Sequence, residues 1–248
     1  MCSVTFWPRR RGFVLGMNRD EQRSRVAGLS PARFILGERT VVHPREPHGG
    51  TWISVNDRGV CFALVNWYAI PARAPVPTVS RGEVVLAVRT CDSGPEADAQ
   101  VATLPLPRMN PFRLVGFFEA EQRVFEWRWD GRELTVTCHP WSAGQWLSSG
   151  LDEPTAQRLR SAAYQRVLSE SDAGSAEWLR RLHGSHEPQC GPFSTCMHRD
   201  DAATVSYSEV DVGEAGVVMR HCNAPLCAGG PLVEIAVARA GMPAFPTA

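Results

Sequence analysis

The chain opens with MCSVTFWPRRRGFVLGMNRDE, residues 1–21. Two runs rich in β-forming residues, 3–7 and 12–18, flank an arginine-rich turn, and this arrangement predicts a β-hairpin. Cys2 precedes the hairpin and the charged tetrad 18–21 ends it. If an aminopeptidase removes Met1, the chain begins with both a thiol and a free α-amine. The amine titrates near ~8 and the thiol near ~8.5, so one can act as base for the other. Taken alone, Cys2 is also consistent with an ordinary small residue at a frayed end.

Further hairpins and helices follow along the chain. The other predicted strands span residues 34–36, 40–43, 50–55, 59–68, 112–119, 123–129, 133–139, 203–210, 217–221 and 232–238. The predicted helices span residues 80–90, 95–104, 152–169 and 176–183, the first with Ser80 as N-cap and Glu83 as its capping-box partner. This order predicts an α+β fold of two antiparallel sheets with helices on their outer faces. We expect a single domain over residues 1–240 and a loose tail over residues 241–248.

The composition indicates a globular protein and excludes several classes of function. The 248 residues are 44% hydrophobic and 21% charged. The 26 basic and 26 acidic residues balance, which argues against a nucleic-acid partner held by bulk charge. Every basic residue is Arg, so catalytic-lysine chemistry is excluded. No run approaches the roughly 20 apolar residues of a membrane span, and the apolar run after Arg11 is too short for a secretory signal. We therefore expect a cytoplasmic protein with mostly reduced thiols.

Several short motifs occur in a characteristic order. Met1-Cys2 is followed by Asn18-Arg19-Asp20-Glu21, then by Gly49-Gly50-Thr51-Trp52, Ala63-Leu64-Val65-Asn66 and Ser80-Arg81-Gly82. Together they resemble the NRDE family, the transport and Golgi organisation protein 2 group. The resemblance is strongest over residues 1–90 and weakest after residue 152.

The resemblance implies a fold and two alternative functions. The NRDE family is similar to the Cys-type N-terminal-nucleophile hydrolases, the group of penicillin V acylase and bile salt hydrolase, whose fold is a four-layer αββα sandwich. It implies a cysteine amidohydrolase that cleaves a C–N bond other than a peptide bond in a small-molecule amide, after removal of Met1. The alternative is a non-catalytic binding or trafficking protein that carries haem or a lipid-like, hydrophobic ligand. Family members are also linked to Golgi organisation, lipid metabolism and haem handling.

The charged tetrad supplies the first candidate partners of Cys2. As nucleophile, Cys2 needs a nearby cation that lowers its pKa, which Arg19 could provide, and Asp20 could orient the terminal amine. Side chains alternate along a strand, so Asn18 and Asp20 share one face while Arg19 and Glu21 share the other. The sequence leaves open which pair faces Cys2. The structural alternative is a charge cluster that orders the end of the hairpin.

Other candidate site residues lie further along the chain. Asn66 ends an apolar strand, and its amide could donate to an oxyanion, which is worth roughly 3 kcal/mol in acyl transfer; an Asn that merely closes a strand is the alternative. Asn18, Trp52, Arg81 and His198 are candidate substrate-binding residues, although Trp52 also suits the core and Arg81 a helix start. The resemblance implies a second arginine before the last hairpin, and Arg199 or His198 could fill that role.

The C-terminal third is rich in potential metal ligands. Their spacings lack the tight paired knuckle of a structural zinc site, so we predict no metal and no cofactor. Buried, inert thiols are expected for Cys61, Cys91 and Cys138. The potential ligands are Cys190, Cys196, His198, His221, Cys222 and Cys227.

Overall fold

A computed structural model describes residues 2–240, so the predicted tail at 241–248 lies outside the described residues. Thirteen strands, four α-helices and two short 3-10 helices form within this range. In chain order the strands are β1 (Cys2–Pro8), β2 (Phe13–Gln22), β3 (Leu29–Leu36), β4 (Arg39–Arg45), β5 (Ile53–Asn56), β6 (Cys61–Asn66), β7 (Phe112–Phe118), β8 (Arg123–Trp129), β9 (Leu134–Pro140), β10 (Gly144–Ser148), β11 (Ala202–Val212), β12 (Val217–Cys222) and β13 (Val233–Val237). The α-helices are α1 (Gly82–Val88), α2 (Gly94–Ala102), α3 (Glu153–Val167) and α4 (Ala176–Gly184), and the 3-10 helices are Leu106–Arg108 and Leu226–Ala228.

The strands form two antiparallel sheets. The first has six strands in the order β10-β1-β2-β11-β12-β13, and the second has seven in the order β3-β4-β5-β6-β7-β8-β9. The strand order of the second sheet follows the chain; hairpins join its strands except β6 and β7, which are connected through α1 and α2. The first combines the N-terminal hairpin with the C-terminal strands through the β2–β11 pairing. The two ends of the described chain therefore build one sheet together.

The main hydrophobic core lies between the two sheets. Alternate residues of β1 and β2 point into it, because successive side chains of a strand face opposite sides. The first sheet contributes mainly aromatic and aliphatic side chains. The second sheet contributes mainly β-branched residues and one phenylalanine, which pack against them. The central members are Val4, Phe6, Phe13, Leu15, Met17, Ile53, Val55, Ala63, Val65 and Phe117, all fully or almost fully buried.

Helices cover the outer face of each sheet. Helices α1 and α2 bury Val84, Val88 and Ala97 against aromatic residues of the second sheet, among them Phe62 and Trp127. Helices α3 and α4 cover the first sheet, where their apolar side chains meet Val14 of β2. The layers are thus helices, sheet, sheet and helices, which confirms the predicted α+β fold. Within residues 2–240, no helix combines the length and the apolar character needed to cross a membrane.

The structure corrects the sequence-based elements at two places. Strand β10 was not predicted, because Gly144–Ser148 is short and contains no β-branched residue. It pairs with β1 at the edge of the first sheet. The capping box at α1 was also wrong: the N-cap is Arg81 and no side chain caps the helix. The Ser80 hydroxyl instead accepts a hydrogen bond from the Gly82 N–H at 3.2 Å.

Candidate active site

The N-terminal hairpin places Cys2 and Arg19 side by side. Their Cα atoms are directly opposite in the β1–β2 register, and side chains of such a pair project from the same face of the sheet. This face is the one toward the second sheet, where Cys2 joins the main core and is 6% exposed. The alternation that the sequence left open is therefore resolved: Arg19 faces the side of Cys2, and the Asp20 side chain projects from the opposite face.

A single cavity of about 340 Å³ lies over Cys2. Its wall collects residues from every motif noted in the sequence. The tetrad, the Gly-Thr-Trp segment, the end of β6 and the start of α1 all contribute. The lining residues include Cys2, Arg19, Trp52, Asn66, Arg81 and Asn110.

The backbone of Cys2 is anchored on both sides of β1. Its N–H donates to the Ser148 hydroxyl at 3.0 Å, and Ser148 is its register partner on β10. Burial raises the pKa of the Cys2 thiol, and the charge of Asp20 adds to that rise; the Arg19 guanidinium and the backbone N–H of Asp20 oppose it. The environment thus combines desolvation and one negative charge, which favour the thiol, with one positive charge and one donor, which favour the thiolate.

Arg19 is held in place by an aromatic ring and two carboxylates. Its guanidinium carbon lies 4.5 Å from the Trp52 ring centroid, a cation–π distance. It also pairs with Glu46 and, at 3.3 Å, with Glu21. Arg25 pairs with the same two carboxylates from a more exposed position. This network fixes the orientation of Arg19 beside Cys2 and leaves Trp52 as a wall of the cavity.

The Asp20 side chain lies on the face of the first sheet that α3 covers. Its carboxylate is fully buried and lies 3.4 Å from the Arg160 guanidinium. It also accepts a hydrogen bond from the Thr204 hydroxyl at 2.7 Å. Arg160 in turn donates to the Ser3 hydroxyl at 2.9 Å. The Asp20 carboxylate is therefore part of an ion pair that supports β2, while its backbone N–H faces Cys2.

Asn66 and Arg81 meet through a tyrosine at the cavity wall. The Asn66 amide donates to the Tyr68 hydroxyl at 2.9 Å, and the Arg81 guanidinium lies over the Tyr68 ring at 5.8 Å. Arg81 also donates to the Pro111 carbonyl at 3.2 Å. Burial lowers the pKa of Arg81, and Tyr68 and the Cys2 thiol raise it. Among residues 2–240, Arg81 forms no ion pair with a carboxylate, although Glu21 and Glu46 line the same cavity and the charge of Glu21 also raises the Arg81 pKa.

Two glycines allow the start of α1 to approach the cavity. A Cβ on Gly82 would lie 2.9 Å from the Gly50 Cα and 2.9 Å from the Thr51 nitrogen, and Gly50 has a φ of +81°. The Thr51 N–H donates to the Gly82 carbonyl at 3.3 Å. Only glycine permits both the close backbone contact and the left-handed conformation. The Gly-Gly and Ser-Arg-Gly motifs therefore contact each other, and this contact sets the position of Arg81.

Three of the predicted site residues do not line this cavity. The Asn18 amide donates to the carbonyls of His183 and Thr195, at 2.8 and 2.9 Å, behind the sheet. Arg199 pairs with Asp201 at 2.7 Å and lines a separate cavity of about 260 Å³. His198 belongs to a histidine and cysteine cluster described below. A substrate seated over Cys2 would therefore meet Arg19, Asn66 and Arg81 rather than these three residues.

The sequence reasoning missed four residues that shape the site. Glu46 holds Arg19, Ser148 holds the Cys2 nitrogen, Asn110 lines the cavity and Arg160 pairs with Asp20. A signal was available for Arg160. It lies four residues after Ala156 and three before Ala163, on the buried stripe of α3. A charge at a core position of a helix indicates a buried ion pair. Ser148 offered no signal, since its strand was not predicted.

Solved structures of low sequence identity share this architecture. A mutant of conjugated bile acid hydrolase from Clostridium perfringens matches with a TM-score of 0.58 at 7% identity, over 96% of this chain and 92% of that one. Penicillin V acylase from Agrobacterium tumefaciens matches with a TM-score of 0.55 at 8% identity, over 96% of this chain and 86% of that one. The chain thus has the fold of the Cys-type N-terminal-nucleophile hydrolases. No curated protein matches its sequence.

The family assignment rests on the sequence itself. Residues 1–188 match the family Transport and Golgi organisation 2, which is the NRDE group that the motifs indicated. The chain belongs to this family.

Proposed function

We propose that this protein is a cysteine amidohydrolase that acts on a C–N bond other than a peptide bond, with Cys2 as nucleophile after Met1 has been removed. The observation that carries the proposal is the cavity over Cys2. It brings the thiol together with Arg19, the Asn66 amide and Arg81, although these residues come from four separate segments. A structural role for the motifs would not require their side chains to share one cavity.

The chemistry follows from the contacts of Cys2. Once Met1 is removed, the nitrogen that now donates to Ser148 is the α-amine. It takes the thiol proton, and the thiolate attacks the amide carbon, so that a C–S bond forms. The C–N bond then breaks, and the amine product leaves with the proton. Water, deprotonated by the same amine, cleaves the thioester and releases the carboxylic acid.

Donors beside Cys2 suit the developing oxyanion. Among the described contacts, the Asn66 amide has one acceptor, the Tyr68 hydroxyl. An amide NH2 carries two donors, so one N–H is left for a substrate oxygen. The charge of Arg19 favours the thiolate, and its contacts with Trp52 and Glu46 keep it in place during the reaction.

The cavity also indicates what kind of amide it accepts. Most lining side chains are polar or charged, among them Glu21, Thr51, Ser80 and Asn110, which suits a small polar amide better than haem or a lipid-like ligand. Arg81 is half-buried and forms no ion pair with a carboxylate among the described residues, and such a cation favours an anionic group. We therefore propose a substrate with a carboxylate or similar anion near the scissile bond.

The test uses a charged and a neutral chromogenic amide, succinyl and acetyl 4-nitroanilide. We expect the wild-type protein to release 4-nitroaniline, with a preference for the succinyl compound. Cys2→Ala should lower turnover by at least about 10³-fold, the range seen when a nucleophile is removed. Cys138→Ser is the matched control: contrary to the expectation of a buried thiol, Cys138 is exposed, and it lies on β9, outside the cavity.

Two results would contradict the proposal. One is unchanged turnover in Cys2→Ala. The other is an active protein whose intact mass still includes Met1, since a blocked nitrogen cannot act as the base.

A further inference from the structure

Four side chains from two separate connections converge at one point outside the Cys2 cavity. They are His186, Cys196, His198 and Cys227, and one ligand atom of each lies within 4.8 Å of all the others. His186, Cys196 and His198 come from the connection between α4 and β11, and Cys227 comes from the 3-10 helix Leu226–Ala228. We propose that this cluster is a structural zinc site of the Cys2His2 type, which we call the zinc cluster.

Four of the six spacings between the ligand atoms lie within about 0.4 Å of the edges of a tetrahedron around zinc, and the two between His186 and the sulfurs are at most 4.8 Å. With Zn–S near 2.3 Å and Zn–N near 2.0–2.1 Å, ideal edges are about 3.8 Å for S–S, about 3.6 Å for N–S and about 3.4 Å for N–N. The two sulfurs are 3.4 Å apart, and the two histidine Nε2 atoms are 3.1 Å apart. The Nε2 atom of His198 is 3.7 Å from the Cys196 sulfur and 3.4 Å from the Cys227 sulfur.

Hydrogen bonds alone do not account for this arrangement. The Nε2 atom of His198 faces three heteroatoms at once: one nitrogen and two sulfurs. A ring nitrogen carries either one proton or one lone pair, so it can satisfy one of these neighbours. A divalent cation at the centre would satisfy all four ligand atoms together. Two imidazoles and two thiolates in tetrahedral array are typical of zinc.

A disulfide is not present in the cluster. The Cys196 and Cys227 sulfurs are 3.4 Å apart and both cysteines are free, whereas a disulfide requires about 2.0 Å. On zinc binding the two thiols would become thiolates and release two protons. Cys196 is buried and Cys227 is exposed, which gives an ion a route of entry from the solvent side.

A bound ion would stabilise the connection that supplies three of the ligands. Residues 185–201 contain no strand and no helix, and irregular segments of this length are uncommon in a compact fold. Yet this segment supports the back of β2. The Thr195 carbonyl accepts from Asn18, and the Met197 N–H donates to Thr204, the partner of Asp20. The zinc cluster would fix this segment against the last strands and so hold the layer behind Cys2.

Cobalt substitution in the full-length protein tests the proposal. The protein is purified under reducing conditions, stripped with a chelator and titrated with Co²⁺, then with Zn²⁺. We expect one Co²⁺ per chain, a thiolate charge-transfer band, the strong ligand-field bands of tetrahedral cobalt, and displacement by Zn²⁺. Cys227→Ser should lose about half of the thiolate band, and both Cys227→Ser and His186→Gln should weaken binding by more than the roughly 10–100-fold typical of an outer-shell change.

Cys190→Ser is the matched control, because Cys190 lies in the same connection but outside the zinc cluster. It should bind like the wild type. Thermal unfolding supplies a second readout: Zn²⁺ should raise the Tm of the wild type and of Cys190→Ser, but not of Cys227→Ser or His186→Gln. A Co²⁺ spectrum without a thiolate band, or a band of undiminished intensity in Cys227→Ser, would overturn the proposal. So would a protein that holds a Cys196–Cys227 disulfide and takes up no Co²⁺ after reduction.

Discussion

The side chains of Arg19 and Asp20 lie on opposite faces of the first sheet, so the charged tetrad contributes to two layers of the molecule. Sequence alone predicted that neighbours on β2 would face opposite sides, but not which one would face Cys2. The register decides this, because Cys2 pairs with Arg19. That register depends on the length of the Arg9–Gly12 turn, where Gly12 has a φ of +88°. Asp20 is consequently held by Arg160, which is 140 residues away in sequence, a separation no local pattern reveals.

A buried histidine behind the tetrad makes the fold sensitive to mild acid. Burial, aided by the charge of Arg160, lowers the pKa of His183 from 6.5 to about 3. Between these values the unfolded chain binds more protons than the folded one, so stability falls as pH falls. From pH 7 to pH 5 we expect His183 to cost about 2 kcal/mol of unfolding free energy.

Urea unfolding at both pH values measures this cost. His183→Gln should lose about 2 kcal/mol less than the wild type over the same pH interval, because it has no group to protonate. His48→Gln is the control, since His48 is exposed and its replacement should leave the interval unchanged. An equal pH dependence in His183→Gln and wild type would show that the ring is protonated inside the fold.

Among the secondary-structure elements, turns were predicted more reliably than the edge strand β10 and the start of α1. The Asn56–Gly59 and Asp130–Gly131 turns carry recognisable residues, and the hairpins around them form as expected. Strand β10 has no such signal, because its stability comes from pairing with β1 rather than from its own residues. The start of α1 was misassigned for a similar reason. Its position is set by contact with Gly50, not by a local cap.

This contact between α1 and the loop before β5 gives a prediction for the element. Gly82→Ala places a methyl group 2.9 Å from backbone atoms of Gly50 and Thr51, so α1 must shift outward. We expect a loss of about 1–3 kcal/mol in unfolding free energy, as for other overpacked sites, together with lower amide turnover because Arg81 moves with the helix. Chemical denaturation and the nitroanilide assay measure the two effects.

The control for the α1 shift is Gly213→Ala, where an added Cβ meets no heavy atom within 4 Å. It should change neither quantity. Full turnover in a folded Gly82→Ala variant would mean that the Gly50–Gly82 contact does not position the cavity wall.

For the whole molecule, we propose that residues 2–240 unfold as one unit, because both sheets share the main core. Phe117 of the second sheet lies 4.8 Å from the Phe6 ring and 5.4 Å from the Trp146 ring of the first. Phe117→Ala should therefore cost about 3–5 kcal/mol, the range for a large aromatic removed from a core. Far-UV circular dichroism and tryptophan fluorescence should report the same lowered midpoint.

Phe34→Ala is the comparison, because Phe34 is half-buried on the edge strand β3 and should cost less. If the two probes give separate transitions in the wild type, the sheets unfold independently and the single-domain proposal is wrong.

The three-dimensional arrangement also explains why the sequence argued against zinc. Cys196 and His198 are two residues apart, but His186 precedes them by ten and Cys227 follows by twenty-nine, which matches no compact ligand motif. Of the other ligands considered, His221 is engaged by Ser208 and Asn223. The β11–β12 hairpin brings the connection before β11 and the segment after β12 to the same end of the sheet, which the linear spacing of the ligands does not show.

The anchoring of β1 on both sides has a practical consequence for anyone who expresses this protein. Cys2 is buried, and its nitrogen donates to Ser148 on β10. A purification handle fused ahead of it and left uncut would push extra chain against β10 and leave no free amine at Cys2. Under the proposed mechanism such recombinant material would be inactive even with all of its side chains intact, so protein without an N-terminal handle is the form to assay.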